Sequence, residues 1–146
     1  MKLQRRLEWA EETMARAAQL AGVDESKGAC RLLSVAGRLL RHLGGRTSPV
    51  PLGAELAAMK DYAASGNIIV PGTMDLVVSD EVAVLSAFVA RGALVEGLDA
   101  ILTGCRARPG LTGIRIKVDV SGWDDDRPAL LSLTTDGFQP VTVQLE

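Results

Sequence analysis

Residues 114–120 read Ile-Arg-Ile-Lys-Val-Asp-Val, and their alternation decides that the chain holds a sheet as well as helices. Ile114, Ile116, Val118 and Val120 share one face of an extended strand, and Arg115, Lys117 and Asp119 the other, the pattern of a strand packed on one side only. Toward the C-terminus, Asp124, Asp125 and Asp126 mark a turn. Leu130–Leu133 and Val141–Leu145 then supply two further strands of a meander. Upstream, Asp80 is read as the cap of a long helix over about residues 81–103. Its core face uses Val82, Leu85, Phe88, Val89, Leu94, Val95, Leu98 and Ile101. Asn67–Val70 and Met74–Val78 are short β-branched stretches joined by Pro71-Gly72, a turn signal.

The first third is helical. Leu3, Leu7, Ala10, Met14, Ala17, Ala18 and Ala21 recur every three or four residues, which predicts a helix over 3–21 that Gly22 ends. Asp24 or Ser26 caps a second helix over about 25–43, with Ala29, Leu32, Leu33, Ala36, Leu39, Leu40 and Leu43 in its stripe and Gly44-Gly45 as its stop. Two such helices with a short connection form an antiparallel hairpin, and a hairpin alone leaves apolar surface open. A four-helix bundle made from two chains covers it. After the Pro-rich connector Ser48–Pro51, Leu52, Leu56, Met59 and Tyr62 mark a third helix over 52–64. The expected fold is therefore α+β: a helical hairpin in residues 1–46, then a second unit in 50–146 with a small mixed or antiparallel sheet.

Composition narrows the function classes. The chain has 146 residues and 47% hydrophobic residues, enough to bury a core, but only 3% aromatics, so that core rests on Leu, Val, Ala and Ile. The net charge of −2 and the dispersed charges give no basic stripe for nucleic acid. Arg91, Glu96 and Asp99 interrupt the longest apolar runs, so no bilayer span is expected. Glu8, Glu11 and Glu12 stand where a secretory signal would be apolar, which points to a cytoplasmic protein. Cys30 and Cys105 are isolated and the chain has a single histidine, so neither spacing nor ligand count suits zinc. Two free thiols in a reducing compartment are preferred to a disulfide.

Residues 50–62, VPLGAELAAMKDY, resemble the V-x-L-x-x-E-L-x-x-x-x-x-Y segment of the autolysin-regulator (LytS-type) class of sensor histidine kinases, with Val50, Leu52, Glu55, Leu56 and Tyr62 in register. Leu39-Leu40-Arg41-His42 is similar to the L-L-R-Y that ends that class's second dimerisation helix. Leu94-Val95-Glu96 is similar to the L-V-E-N opening its N-box helix. Ile114–Val118 and Leu131–Gly137 resemble the strand pair that ends in D-x-G-x-G. The resemblance implies a dimerisation hairpin followed by a reduced GHKL-type (histidine kinase ATPase-like) domain.

It also implies losses. Counting back from Leu39 places the phosphoacceptor histidine near Glu8, with Trp9 where the class has Phe, and a carboxylate cannot replace an imidazole nucleophile. Gly97 stands at the N-box asparagine and offers no oxygen for Mg²⁺, and Ala100 and Ile101 stand around the K-H that follows. Only Phe138-Gln139-Pro140 separates Asp136-Gly137 from the last strand, so the glycine-rich lid that would cradle phosphates is missing.

Each candidate residue has a plain alternative. By resemblance Glu96 is an N-box carboxylate; otherwise it is a charge on the exposed side of an amphipathic helix. Asp136, with Gly137, is by resemblance the adenine-contacting aspartate; otherwise the pair is a common turn. His42 is the one nitrogen that could carry a phosphoryl group, but a histidine in the last turn of a helix is also favoured by the helix dipole and can bond free carbonyls. Asp124–Asp126 read as a solvated turn rather than a cation site. Arg106 and Arg108 form a basic loop that could meet a phosphate, and Trp9 belongs to packing, here between chains.

The expected function is a non-catalytic, dimeric signalling or adaptor module that needs no cofactor. Its helices at 3–43 pair with a second copy, and a response regulator or sensor kinase is the further partner, with no nucleic acid or membrane involved. The alternatives are a histidine phosphotransferase with a degenerate ATPase domain, a residual sensor kinase fragment that binds Mg-ATP or ADP through Glu96, Asp136 and Gly137, and an unrelated α+β domain.

Overall fold

The computed structural model describes residues 3–22, 26–69, 74–106, 113–122 and 129–146. In chain order these form α1 (Leu3–Gly22), α2 (Ser26–Leu43), β1 (Val50–Pro51), α3 (Leu52–Ile69), β2 (Met74–Val78), α4 (Asp80–Ala83), β3 (Phe88–Val89), α5 (Ala93–Arg106), β4 (Ile114–Ser121), β5 (Leu130–Thr134) and β6 (Val141–Gln144). The chain is thus an α+β protein, with a four-stranded mixed sheet in the order β2-β4-β5-β6 and a separate β1–β3 pair. β2 runs parallel to β4, and β4, β5 and β6 form the expected antiparallel meander. The two parallel strands are far apart in sequence, with α5 between them, which gives the crossover a parallel pair requires.

Alternation along the strands sets the inner face. Ile116, Val118, Leu131 and Leu133 are fully buried and Val143 nearly so. They share one core with Leu94, Val95, Leu98 and Ile101 of α5, with Leu52, Leu56 and Met59 of α3, and with Trp9, Leu39 and Leu43 of the hairpin. Each fully buried leucine contributes roughly 1.5–3 kcal/mol. α1 packs on α2, and α2 on α3, so the inner side of the hairpin belongs to the same core as the sheet.

Two expected elements come out differently. The helix predicted over 81–103 is two helices with a strand between them. Ser79, not Asp80, is the cap: its backbone is extended and its hydroxyl accepts from the Val82 amide. The helix then lasts one turn. Phe88 and Val89 pair antiparallel with Pro51 and Val50, and Phe88 exchanges both backbone hydrogen bonds with Glu146. Gly92, at φ 83°, turns the chain into α5. Val82, Leu85 and Val89 have helical spacing, but long-range pairing with β1 and the chain end wins over local periodicity. Phe88, read as core, is therefore half exposed.

The strand predicted over Asn67–Val70 is, as far as it is described, the end of α3, which extends to Ile69. The Asn67 side chain donates to the Met74 carbonyl and accepts from the Met74 amide, so it supplies to β2 a pairing that a strand backbone would have supplied. Asp24, Pro71-Gly72 and Asp124–Asp126 lie outside the described residues.

Candidate functional site

Two buried polar clusters fix the hairpin to the rest of the molecule. In the first, Asp99 projects from the buried side of α5 and accepts from Arg5 and Tyr62. Arg5 of α1 reaches it through Nε at 3.0 Å and Nη2 at 2.8 Å, and the Tyr62 hydroxyl of α3 donates to Oδ1. Trp9, one turn after Arg5, stacks on Tyr62 with ring centroids 6.1 Å apart. The hydrogen bond to Asp99, with the carboxylate's negative charge, raises the Arg5 guanidinium further above its already alkaline ordinary value, against the opposing effect of burial. Trp9 thus packs within its own chain, where packing between chains was expected.

The second cluster surrounds Glu55, whose side chain is fully buried. It occupies a core-spaced position of α3, three residues after Leu52 and four before Met59. Its Oε2 accepts from the Gly92 amide at 3.1 Å and its Oε1 from the Leu94 amide at 3.0 Å, which caps the N-terminus of α5 and places a negative charge where the helix dipole favours one. His42 Nε2 donates to the same Oε2 at 2.6 Å. His42 sits in the last turn of α2 as expected, but its ring bonds a carboxylate of the neighbouring helix rather than helix carbonyls. Arg91 takes the carbonyl role: its Nη1 donates to the His42 carbonyl, its Nε to the Thr47 carbonyl and its Nη2 to the Thr47 hydroxyl.

Of the residues singled out for nucleotide binding, only Gly137 lines the cleft beside α5. Glu96 is exposed in the first turn of α5. Asp136 is exposed in the β5–β6 turn, where Gly137 adopts φ 80°. Between α5 and this turn lies a shallow cleft of about 600 Å³ walled by Ala100, Ile101, Gly137, Phe138, Gln139 and Val141; neither carboxylate lines it. The β5–β6 turn instead packs on the small residues of α5. A β-carbon on Gly97 would lie 3.1 Å from Val141 Cγ1, and one on Gly104 would lie 3.3 Å from the Phe138 ring. Asp124–Asp126 and Arg108 lie outside the described residues, as does the Arg106 side chain. Among the described residues no group of three or more His, Cys, Asp and Glu could hold a metal ion, and no helix is long and apolar enough to cross a membrane. Cys30 is exposed and Cys105 buried, both as free thiols.

No family model matches the chain, and no curated protein matches it.

The feature with an unmet requirement is the outer face of the hairpin. Leu7 and Met14 of α1 are 52% and 65% exposed, and Leu33 and Leu40 of α2 are 49% and 36% exposed. Within each helix the two residues are seven apart, so they share one face. In an antiparallel pair separated only by residues 23–25, positions 7 and 40 fall at one height and positions 14 and 33 at another. The four side chains therefore form two apolar rungs across the hairpin. Periodicity alone could not separate this stripe from the buried one, because both follow helical spacing. Glu55 and Asp99, by contrast, were detectable as carboxylates at core-spaced positions.

Proposed function

We propose that the chain acts as a non-catalytic, homodimeric signalling or adaptor module of histidine-kinase-core type, and that the outer face of its hairpin is the working surface. The observation that carries this reading is the pair of rungs, Leu7 with Leu40 and Met14 with Leu33, which are large, apolar and exposed on a hairpin whose other side is buried. A second copy placed about a two-fold axis along the helices turns each rung into a four-residue layer of a bundle.

Two further observations support the non-catalytic part. Val141 stands against Gly97, at the position where the resemblance calls for a metal-holding asparagine. The turn of α1 that would carry a phosphoacceptor is held by Arg5 and Trp9, and Glu8 there is an exposed carboxylate hydrogen-bonded by Gln4. On this reading the module works in the cytoplasm, needs no nucleotide, and presents its dimer to a response regulator or sensor kinase.

Calorimetric titration of the pure chain with Mg-ATP and Mg-ADP, on a sample whose mass is read by light scattering, tests the reading. A dimer that gives no binding heat is expected. A monomer, or binding at tens of micromolar or tighter, would overturn it.

A further inference from the structure

Cations that look dispersed in the sequence gather on one side of α2. Residues 26–46 contain Lys27, Arg31, Arg38, Arg41 and Arg46 and no acidic residue, in a chain whose net charge is −2. At about 100° per residue, Lys27, Arg31, Ser34, Arg38 and Arg41 fall within about 80° of one another around the helix, in a row about 20 Å long. All five side chains are exposed. The row lies away from Leu33 and Leu40 and toward α3, where Arg38 donates from Nε and Nη2 to the two carboxylate oxygens of Asp61 at 3.2 and 3.0 Å. Among the described residues no ion pair engages Lys27, Arg31 or Arg41. Lys27 and Arg31 stand four residues apart, a spacing at which like charges repel, so the helix by itself gains nothing from them. Beside the row, α3 presents a low shelf: Ala54 and Ala57 are exposed, and Lys60 adds a further exposed cation.

We infer that the basic row of α2, with the shelf of α3 beside it, docks an acidic helical segment of another protein, one whose carboxylates recur every three or four residues. Charge complementarity sets the sign of the partner, and an anion over Lys27 and Arg31 turns their repulsion into attraction. The straight row sets its shape, since a helix with acids at the same spacing presents a matching line. The alanines of α3 leave room for that helix to lie close. Neither the row nor the shelf offers the aromatic or long apolar side chains with which a protein enters a bilayer surface or stacks on single-stranded bases. Asp61 works against the partner by occupying Arg38. The inference stands apart from the dimeric reading, because none of these residues belongs to the rungs.

The test titrates the full chain into a labelled alanine-based helical peptide with glutamates at i, i+4, i+7 and i+11, read by fluorescence anisotropy. A second peptide of the same composition carries its glutamates around all sides of the helix. The patterned peptide is expected to bind at least about tenfold more tightly than the second, and its affinity should fall as salt rises. Lys27→Glu/Arg31→Glu should abolish that preference, and Asp61→Asn, which releases Arg38, should tighten binding. Circular dichroism separates loss of docking from loss of fold. Equal binding of the two peptides, or a folded Lys27→Glu/Arg31→Glu that keeps the parent's preference, would overturn the inference. So would a patterned peptide that fails to bind while phosphatidylserine vesicles or duplex DNA bind, which would reassign the face to a membrane or a nucleic acid. A parent that is monomeric by light scattering yet keeps the peptide preference would remove the dimeric reading and leave this one standing.

Discussion

Arg5 holds the carboxylate of Asp99 in a two-pronged grip that spans most of the chain, with Nε on one oxygen and Nη2 on the other. Asp99 is 9% exposed and also accepts from the Tyr62 hydroxyl, so the first helix and the fifth share one partly buried charge pair. Removing one member of such a pair strands the other, and that is where the cost arises. Arg5→Ala or Asp99→Asn is expected to lower unfolding free energy by about 2–4 kcal/mol in urea titration, toward the lower part of that range for Arg5 because water reaches its side chain. Tyr62→Phe removes one donor and should cost about 1 kcal/mol.

The pH dependence of this pair follows from the raised guanidinium. A basic group whose folded pKa lies above its unfolded value contributes stability that is fully present below the unfolded pKa and lost only as pH rises through the folded one. For Arg5 both values lie far on the alkaline side. Its contribution should therefore be constant from about pH 6 to pH 10, read as equal stability differences between parent and Arg5→Ala across that range.

Glu55 ties three segments together, so its loss should be the most severe single polar change. Glu55→Ala uncaps α5 at Gly92 and Leu94 and strands His42, and a loss of about 3–5 kcal/mol is expected. His42→Ala leaves the two backbone donors in place and should cost about 1–2 kcal/mol. A double-mutant cycle between the two positions should give coupling of about 1–3 kcal/mol, measured by equilibrium denaturation.

Gly97→Asn restores the side chain that the resemblance calls for, but Val141 already occupies the space. The Val141 methyl must shift by a few tenths of an ångström or more, and overpacking of this kind costs about 1–3 kcal/mol. The expected result is a lower Tm with no gain of Mg-ATP binding by calorimetry. Pairing Gly97→Asn with Val141→Ala should recover part of the Tm, which assigns the loss to that contact.

Much of the fold was legible from local pattern. The β4 alternation, the meander and the extents of both hairpin helices follow from local spacing; burial repeats it along β4, as Ile116 and Val118 against Arg115 and Lys117 show, but not along α1, where Leu7 and Met14 of the apolar repeat are exposed and Trp9 and Thr13 are buried. What local pattern could not reveal is long-range pairing. Phe88 and Val89 leave a helical rhythm because β1 and Glu146 offer them backbone partners, and Asn67 extends a helix where β-branched neighbours suggested a strand. The site was legible only in part. His42 was placed correctly at a helix end, but its acceptor Glu55 lies across a connector and on another helix. Glu96 and Asp136 were picked out by resemblance, yet neither lines the α5 cleft. The rungs are invisible in the helical spacing, since Leu32 and Leu33 are adjacent in sequence yet one is buried and the other exposed.

The rungs also set a mutational contrast. Leu33→Asp and Leu40→Asp lie on the exposed face and should change monomer stability by no more than about 0.5–1 kcal/mol, whereas Leu39→Ala, in the buried stripe next to Leu40, should cost about 2–5 kcal/mol. The measurement that bears most directly on the proposed function is sedimentation equilibrium of the parent chain and of Leu33→Asp over the micromolar range. A dimeric parent and a folded, monomeric Leu33→Asp are expected. A monomeric parent, or a dimer that Leu33→Asp leaves intact, would contradict the outer face of the hairpin as the working surface.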